Sequence, residues 1–168
     1  MNELSTLAWY PAAEFLEFER INKAYSFDVP AFSVDTATTD GPKYTQIMNA
    51  LSEQLQQHVA KANLLITLNE KIPQFDVEVE EMMRIAIGRT QLLLNKRMKQ
   101  FREHLSRHLK PIPGQKVTKL NDLHALWVLI DMQLDDIRSI FNSIEQFRLR
   151  CWAVAEPKAA ATAASSGN

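Results

Sequence analysis

The side chains able to do chemistry are few and poorly grouped. His104 and His108 stand four apart, a spacing that puts both on one face of a helix, as a zinc site would need. The run around them, His-Leu-Ser-Arg-His, lacks the glutamate of a zinc-protease helix, and Arg107 would repel a cation. No glutamate is followed three residues later by a histidine, which closes di-iron chemistry. Cys151, the single cysteine, has no histidine near it in sequence and reads as a small core residue beside Trp152; one cysteine allows no internal disulfide. Asp131, Asp135 and Asp136 read as solvated carboxylates on a polar helix face. Gly88 stands alone inside a helical pattern, which suits a close helix approach better than a phosphate loop. The expectation is no enzyme, no metal and no cofactor.

Charge is more informative. Residues 1–82 carry 13 acids against 5 bases, whereas residues 83–119 carry 10 bases against 1 acid. Within the basic stretch, Arg89, Lys96, Lys99, Arg107 and Lys110 project away from the apolar seam, with Leu92 among them, and these six form the candidate partner-binding face. Such a face can dock an acidic protein partner, the acidic surface of a cytoskeletal polymer such as the microtubule, or a nucleic acid. The opposed reading buries Leu92 under the N-terminal helix and neutralises some bases with Glu14, Glu17 and Glu19. Nucleic acid is disfavoured, because the net charge is −1 and no aromatic residues interleave the bases.

The elements that position this face are long helices. Leu120, Leu123, Trp127, Ile130, Leu134, Ile137, Phe141 and Ile144 recur at steps of three and four across 120–152, forming one seam. Leu126, Leu129, Ile140 and Phe147 add a second row, so at least two neighbouring helices are needed to cover it. Thr118 with Asn121 and Asp122 reads as the N-terminal cap. A second seam runs from Tyr44 to Ile66 and ends before Pro73; a third, over 77–109, uses Met83, Ile87, Leu94, Met98, Phe101 and Leu105. Residues 7–25 read as a further helix burying Phe15, Phe18 and Leu16, followed by an aperiodic loop over 26–42. The predicted fold is all-α: an antiparallel bundle of three long helices with an additional N-terminal helix, divided as 1–43 helix and linker, 44–153 bundle, and 154–168 disordered tail. Hydrophobic residues at 46% and charge at 23% suit a soluble, cytoplasmic chain, and no run is long enough to span a membrane. Oligomeric state is left open.

Two stretches resemble a known family. Ile87-Gly88-Arg89-Thr90-Gln91-Leu92-Leu93-Leu94, then Gln100-Phe101-Arg102, is similar to the Val-Gly-x-Ala-Gln-Leu-Leu-Met…Gln-Phe-Arg stretch of the guanylate-kinase-associated proteins, also called disks-large-associated proteins. Asp122-Leu123, Trp127, Asp135-Asp136, Phe141, Gln146 and Trp152 fall in register with the helix that follows in that family. The likeness covers residues 76–152 well, 44–71 loosely and 1–43 hardly at all. It implies the C-terminal helical homology domain of a scaffold protein acting in signalling or postsynaptic complexes. A mitotic branch that binds spindle microtubules is the alternative. The family supplies no catalytic residues, and Ser165-Ser166-Gly167-Asn168 lacks the terminal hydrophobic residue of a PDZ ligand.

Overall fold

The computed structural model describes residues 3–29 and 34–152, with side chains from residue 13 onward. Over these residues the chain is all-helical: α1 spans Glu3–Ala24, α2 Gly41–Lys71, α3 Val77–Leu92, α4 Met98–Leu109 and α5 Leu120–Leu149. A π-helical turn, Leu93–Arg97, joins α3 to α4 without a break. The predicted tail, 154–168, lies outside the described residues.

Local chemistry sets the boundaries. Asp40 opens α2 by accepting from Lys43 N at 3.0 Å, with Pro42 in the first turn where a missing N–H costs nothing. Asn69 builds the turn after α2, its Oδ1 accepting from Gln74 N at 2.6 Å and Phe75 N at 3.0 Å. Asp76 then caps α3 through Val79 N at 3.3 Å. The cap of α5 differs from expectation. Lys119 is the N-cap residue and its N–H donates to Asp122 Oδ2 at 2.9 Å, while Thr118 is buried and engaged elsewhere. At its far end α5 stops at Leu149, because Cys151 and Trp152 take φ values of +54° and +65° and turn the chain back. That turn leaves Cys151 exposed, contrary to its reading as a core residue, and drives Trp152 inward against Phe18 and Phe75.

The core seams are partly as read and partly displaced. Leu123, Trp127, Ile130, Leu134, Ile137, Phe141 and Ile144 are buried as the α5 pattern requires, with Leu126, Ile140 and Phe147 half-buried, but Leu129 is 40% exposed. Among the described side chains of α1 the buried residues are Phe18 and Ile21, whereas Phe15 and Leu16 face out. The seam over 77–109 assumed one regular α-helix. The residues actually buried are Val79, Met83, Ala86, Thr90 and Leu93, then Met98, Phe101 and Leu105, with Ile87 and Leu94 moved to the margin. Steps of three and four give way once to a step of five, Leu93 to Met98, where Met98 N–H donates to Leu93 O. An i→i+5 turn absorbs one extra residue, so the buried stripe keeps facing its neighbours after the slip.

Contacts at the two ends fix how the helices meet. Near one end the buried Tyr44 ring of α2 lies 5.1 Å from Phe101 of α4 and 6.2 Å from Trp127 of α5, and its hydroxyl meets His124 Nδ1 at 2.6 Å. Arg102 donates to Asn49 Oδ1 at 3.0 Å and Met48 O at 3.2 Å. Near the other end Phe75 packs 5.2 Å from Trp152. Between α2 and α5 lies the main surprise: residues 25–29, read as open loop, form a strap that sends Phe27 and Val29 into the core while Tyr25, Ser26 and Asp28 stay exposed. Phe27 stacks on Phe141 at 5.8 Å with a 9° interplanar angle, and Val29 is buried beside it.

Charged side chains hold the strap by its backbone. Glu145 of α5 accepts from Phe27 N at 2.7 Å and pairs with Arg148, which donates to Asn22 O at 2.9 Å. Lys61 of α2 donates to Tyr25 O and lies 4.4 Å above the Phe27 ring. His58 Nε2 reaches Asp28 O at 2.9 Å, and Arg138 donates to Val29 O at 3.0 Å. Burial alone would raise the Glu145 carboxyl, but Arg148 and the Phe27 N–H outweigh it and hold the group below its ordinary 4.5. Burial pushes His58 below 6.5, and burial with Arg148 nearby pushes Lys61 down to about 8.

Three outcomes follow from these contacts. Gly88 is exposed and a Cβ there meets nothing within 4 Å, which overturns its reading as a close-approach site; a Cβ on Gly41 would lie 2.8 Å from Leu109 Cδ2 and 2.9 Å from His108 Cδ2. Thermal melts are therefore expected to show Gly88→Ala more stable by about 1 kcal/mol and Gly41→Ala less stable than the parent. Glu145→Gln is expected to cost on the order of 3 kcal/mol in denaturant titrations at neutral pH, since it leaves Arg148 and Phe27 N–H without their carboxylate. The pH dependence has a definite sign. His58 and Glu145 both have folded values below their unfolded ones, so the parent's stability falls as pH drops below 6.5 and again below 4.5, and Glu145→Gln loses the second step. Lys61 acts at the other limb: its proton leaves the folded chain first, so its contribution makes stability rise between about 8 and 10.5.

Candidate partner-binding surface

The six residues singled out from sequence are all exposed, with Leu92 at 52%. They do not form one continuous face. Because the π-turn subtracts most of a residue's rotation, side chains before and after it do not share the arc that a regular α-helix would give them. Arg89 and Leu92 lie on the α5 side, lining a cleft of about 150 Å³ with Gln133 and Asp136. Lys99 lies on the α2 side, in a separate cleft with Ser52, Gln56 and Arg102. Arg107 returns to the α5 side, in a cleft of about 320 Å³ lined also by His104, Lys116, Val117, Ala125 and Leu126. Lys96 sits within the π-turn and Lys110 at the C-cap of α4.

The electrostatics leave these bases available. Among the described residues, none of Arg89, Lys96, Lys99, Arg107 and Lys110 joins an ion pair. The acids of α1 are engaged elsewhere: Glu14 with Lys71 of α2 at 3.9 Å, Glu17 with Arg20 at 2.6 Å and Glu19 with Lys23 at 3.8 Å. Glu14, Glu17 and Glu19 therefore do not neutralise the α3–α4 bases, and Leu92 is exposed rather than buried.

His104 and His108, four apart as a metal pair would be, are given to the 110–119 connection instead. His104 Nδ1 meets Thr118 Oγ1 at 3.2 Å, and His108 Nδ1 donates to Thr118 O at 2.9 Å. They tie that loop, with Lys116 and Val117, to the flank of α4 and so shape the larger cleft.

Sequence reasoning missed part of the surface. Val128 at 55%, Leu129 at 40% and Met132 at 64% exposure stand on α5 directly away from its buried seam, next to the exposed Ala125. The C-terminal half of the same outward face is polar, with Ser139, Asn142, Ser143 and Gln146. A helix apolar on both faces over only one half marks an unpaired contact, and that asymmetry was readable at 100° per residue. Gln133 Oε1, at the foot of the smaller cleft, is buried without a hydrogen-bond partner among the described residues.

Comparison with known proteins bears on this surface. The family model described as guanylate-kinase-associated protein (GKAP) matches residues 20–165, so the likeness starts inside α1 and takes in the strap, further upstream than the motifs alone suggest. Disks large-associated protein 3 of Rattus norvegicus is 28% identical over 119 residues, covering 71% of this chain and 12% of that protein. Disks large-associated protein 5 of Homo sapiens is 28% identical over 113 residues, covering 67% of this chain and 13% of that protein. Disks large-associated protein 1 of Danio rerio is 25% identical over 124 residues, 70% of this chain and 11% of that protein. The chain thus spans a small part of the curated relatives it matches. No solved structure matches it. Among the described residues no helix is long and apolar enough to cross a membrane.

Proposed function

Because the chain belongs to the guanylate-kinase-associated protein family, we propose that it is a non-enzymatic protein-interaction module of a scaffold or adaptor, docking partners on the α3–α4 surface. The observation that carries this reading is Leu92, half exposed in a cleft beside Arg89, a base that, among the described residues, forms no ion pair. An exposed apolar residue beside such a base loses water favourably against a complementary partner. The relatives' names make components of disks-large assemblies the first partners to test. We take the support for this surface to be an antiparallel bundle of three long helices over 44–153, braced by the 25–29 strap; the meeting of Tyr44 with Trp127 at one end and of Phe75 with Trp152 at the other supports that arrangement.

A second reading rests on the same five exposed bases: a microtubule binder held by charge to an acidic polymer surface. The two separate by salt dependence, since screening at physiological ionic strength weakens exposed charge pairs and leaves apolar contacts in place. The test is capture from cell lysate by the parent chain, by Lys96→Glu/Arg107→Glu and by Leu92→Glu, at low and physiological salt, read by mass spectrometry. Scaffold or adaptor proteins are expected to be held at both salts, weakened by the charge reversal and lost with Leu92→Glu. Tubulin as the main capture, released by salt or charge reversal, decides for the second reading. Capture indifferent to all three side chains refutes both.

A further inference from the structure

We propose that the groove between α2 and α5 is a binding site for an extended segment carrying a phenylalanine and, two residues on, a valine, and that the 25–29 strap is the internal ligand that must leave before such a segment enters. The site draws on none of the residues of the α3–α4 surface and does not rest on the function proposed for it.

The strap has the form of a bound peptide. Its residues alternate, Phe27 and Val29 buried while Ser26 and Asp28 are exposed, which is the two-residue period of an extended chain. Among the described residues, none of its main-chain groups bonds to the main chain of another element. Side chains of the two helices take them instead. On α2, Lys61 donates to Tyr25 O, while His58 Nε2 and Gln54 Nε2 reach Asp28 O at 2.9 and 3.5 Å. On α5, Glu145 accepts from Phe27 N at 2.7 Å, Arg138 donates to Val29 O at 3.0 Å, and Arg148 donates to Asn22 O just ahead at 2.9 Å.

These six side chains form two rows. Residues 54, 58 and 61 follow at steps of four and three, and 138, 145 and 148 at steps of seven and three, so each set lies along one stripe of its helix. From Tyr25 to Val29 the partners fall in number on both helices, so the strap runs against each of them and the groove has a direction. Every one of these bonds goes to a main-chain atom of the strap or of Asn22. Side-chain choice is left to Phe27, whose ring stacks on Phe141 and lies 4.4 Å from the Lys61 ammonium, and to the buried Val29. Main-chain bonds for affinity and alternate apolar sockets for specificity are how sites for extended peptides work, and a partner segment with the same pair of side chains meets the same groups. A stretch with two buried side chains and no main-chain ladder belongs to the low end of local stability, so it opens while the helices stay packed.

The first measurement needs no variant. Hydrogen exchange of the intact chain, followed by NMR, is expected to show the Phe27 N–H exchanging at least about a hundredfold faster than the Leu55 and Phe141 amides. Equal rates would mean that the strap leaves only when the whole chain unfolds, and the proposal falls. The second uses a fluorescein-labelled peptide of residues 22–29, read by fluorescence polarisation. It is expected to bind the Phe27→Ser chain, whose own strap no longer fills the aromatic socket, at least about tenfold more tightly than the parent. To that same chain, a peptide carrying Phe27→Ser, one with its residue order reversed, and one with a methyl group on Phe27 N are each expected to bind at least about tenfold more weakly. Circular dichroism melts confirm that the variant folds; Val29→Ser replaces it if it does not, and hydrogen exchange decides alone if neither folds. No binding to the folded variant, equal binding to variant and parent, or equal binding of the reversed or N-methylated peptide overturns the proposal.

Discussion

The arrangement depends on one buried ion pair that does its main work on a backbone. Glu145 and Arg148 face the 22–29 stretch from α5, and Lys61 faces it from α2; between them they satisfy Phe27 N and the carbonyls of Asn22 and Tyr25. Where the strap dips into the core at Phe27 its backbone N–H is buried, and leaving it unmatched would cost on the order of a hydrogen bond. Long charged side chains solve this because they reach the strap's main chain without belonging to a regular ladder. Ion pairs in such places rarely stabilise a fold more than well-packed apolar residues would. Their value here is positional: a single strap register lets all three side chains find partners, and that register puts Phe27 on Phe141.

The strap also explains the spacing of the helices. With Phe27 stacked between α2 and α5, these two helices are held apart, and the α3–α4 helix bridges them through Tyr44, Phe101 and Trp127. Core and surface are linked through α5, whose seam faces the strap on one side while Val128 and Met132 are exposed on the other.

How much of this was legible in the sequence varies with the physics involved. The α5 and α2 seams were readable because a regular helix repeats its buried positions, and the all-helical fold followed from them. The strap was not, since Phe27 and Val29 look like stray apolar residues in a loop. Their signal sat elsewhere, in Lys61 and Glu145, charged residues falling on otherwise apolar helix faces. The π-turn escaped because Met83, Ile87, Leu94 and Met98 fit a regular helix as well as the true seam fits an irregular one; periodicity alone could not choose between them. The basic residues were named in the sequence but their distribution was not, since Lys99 lines a cleft on the α2 side while Arg89 and Arg107 line clefts on the α5 side. The cap at Thr118 was misassigned because a histidine pair fourteen and ten residues earlier claims it.

The i→i+5 turn at Leu93–Arg97 makes the helix over 77–109 one residue longer than its own packing requires. Everywhere else in α2 or α5, removing a residue would rotate the whole downstream stretch by about 100° and throw its buried side into water. Here the loss of a single residue would close the widened ring to the ordinary 13-atom one and leave Leu93 and the residues from Met98 onward facing as they do now. The five-residue turn is thus the one place in the long helices where chain length is free to vary without a change of shape, and where single-residue gaps should collect when such chains diverge.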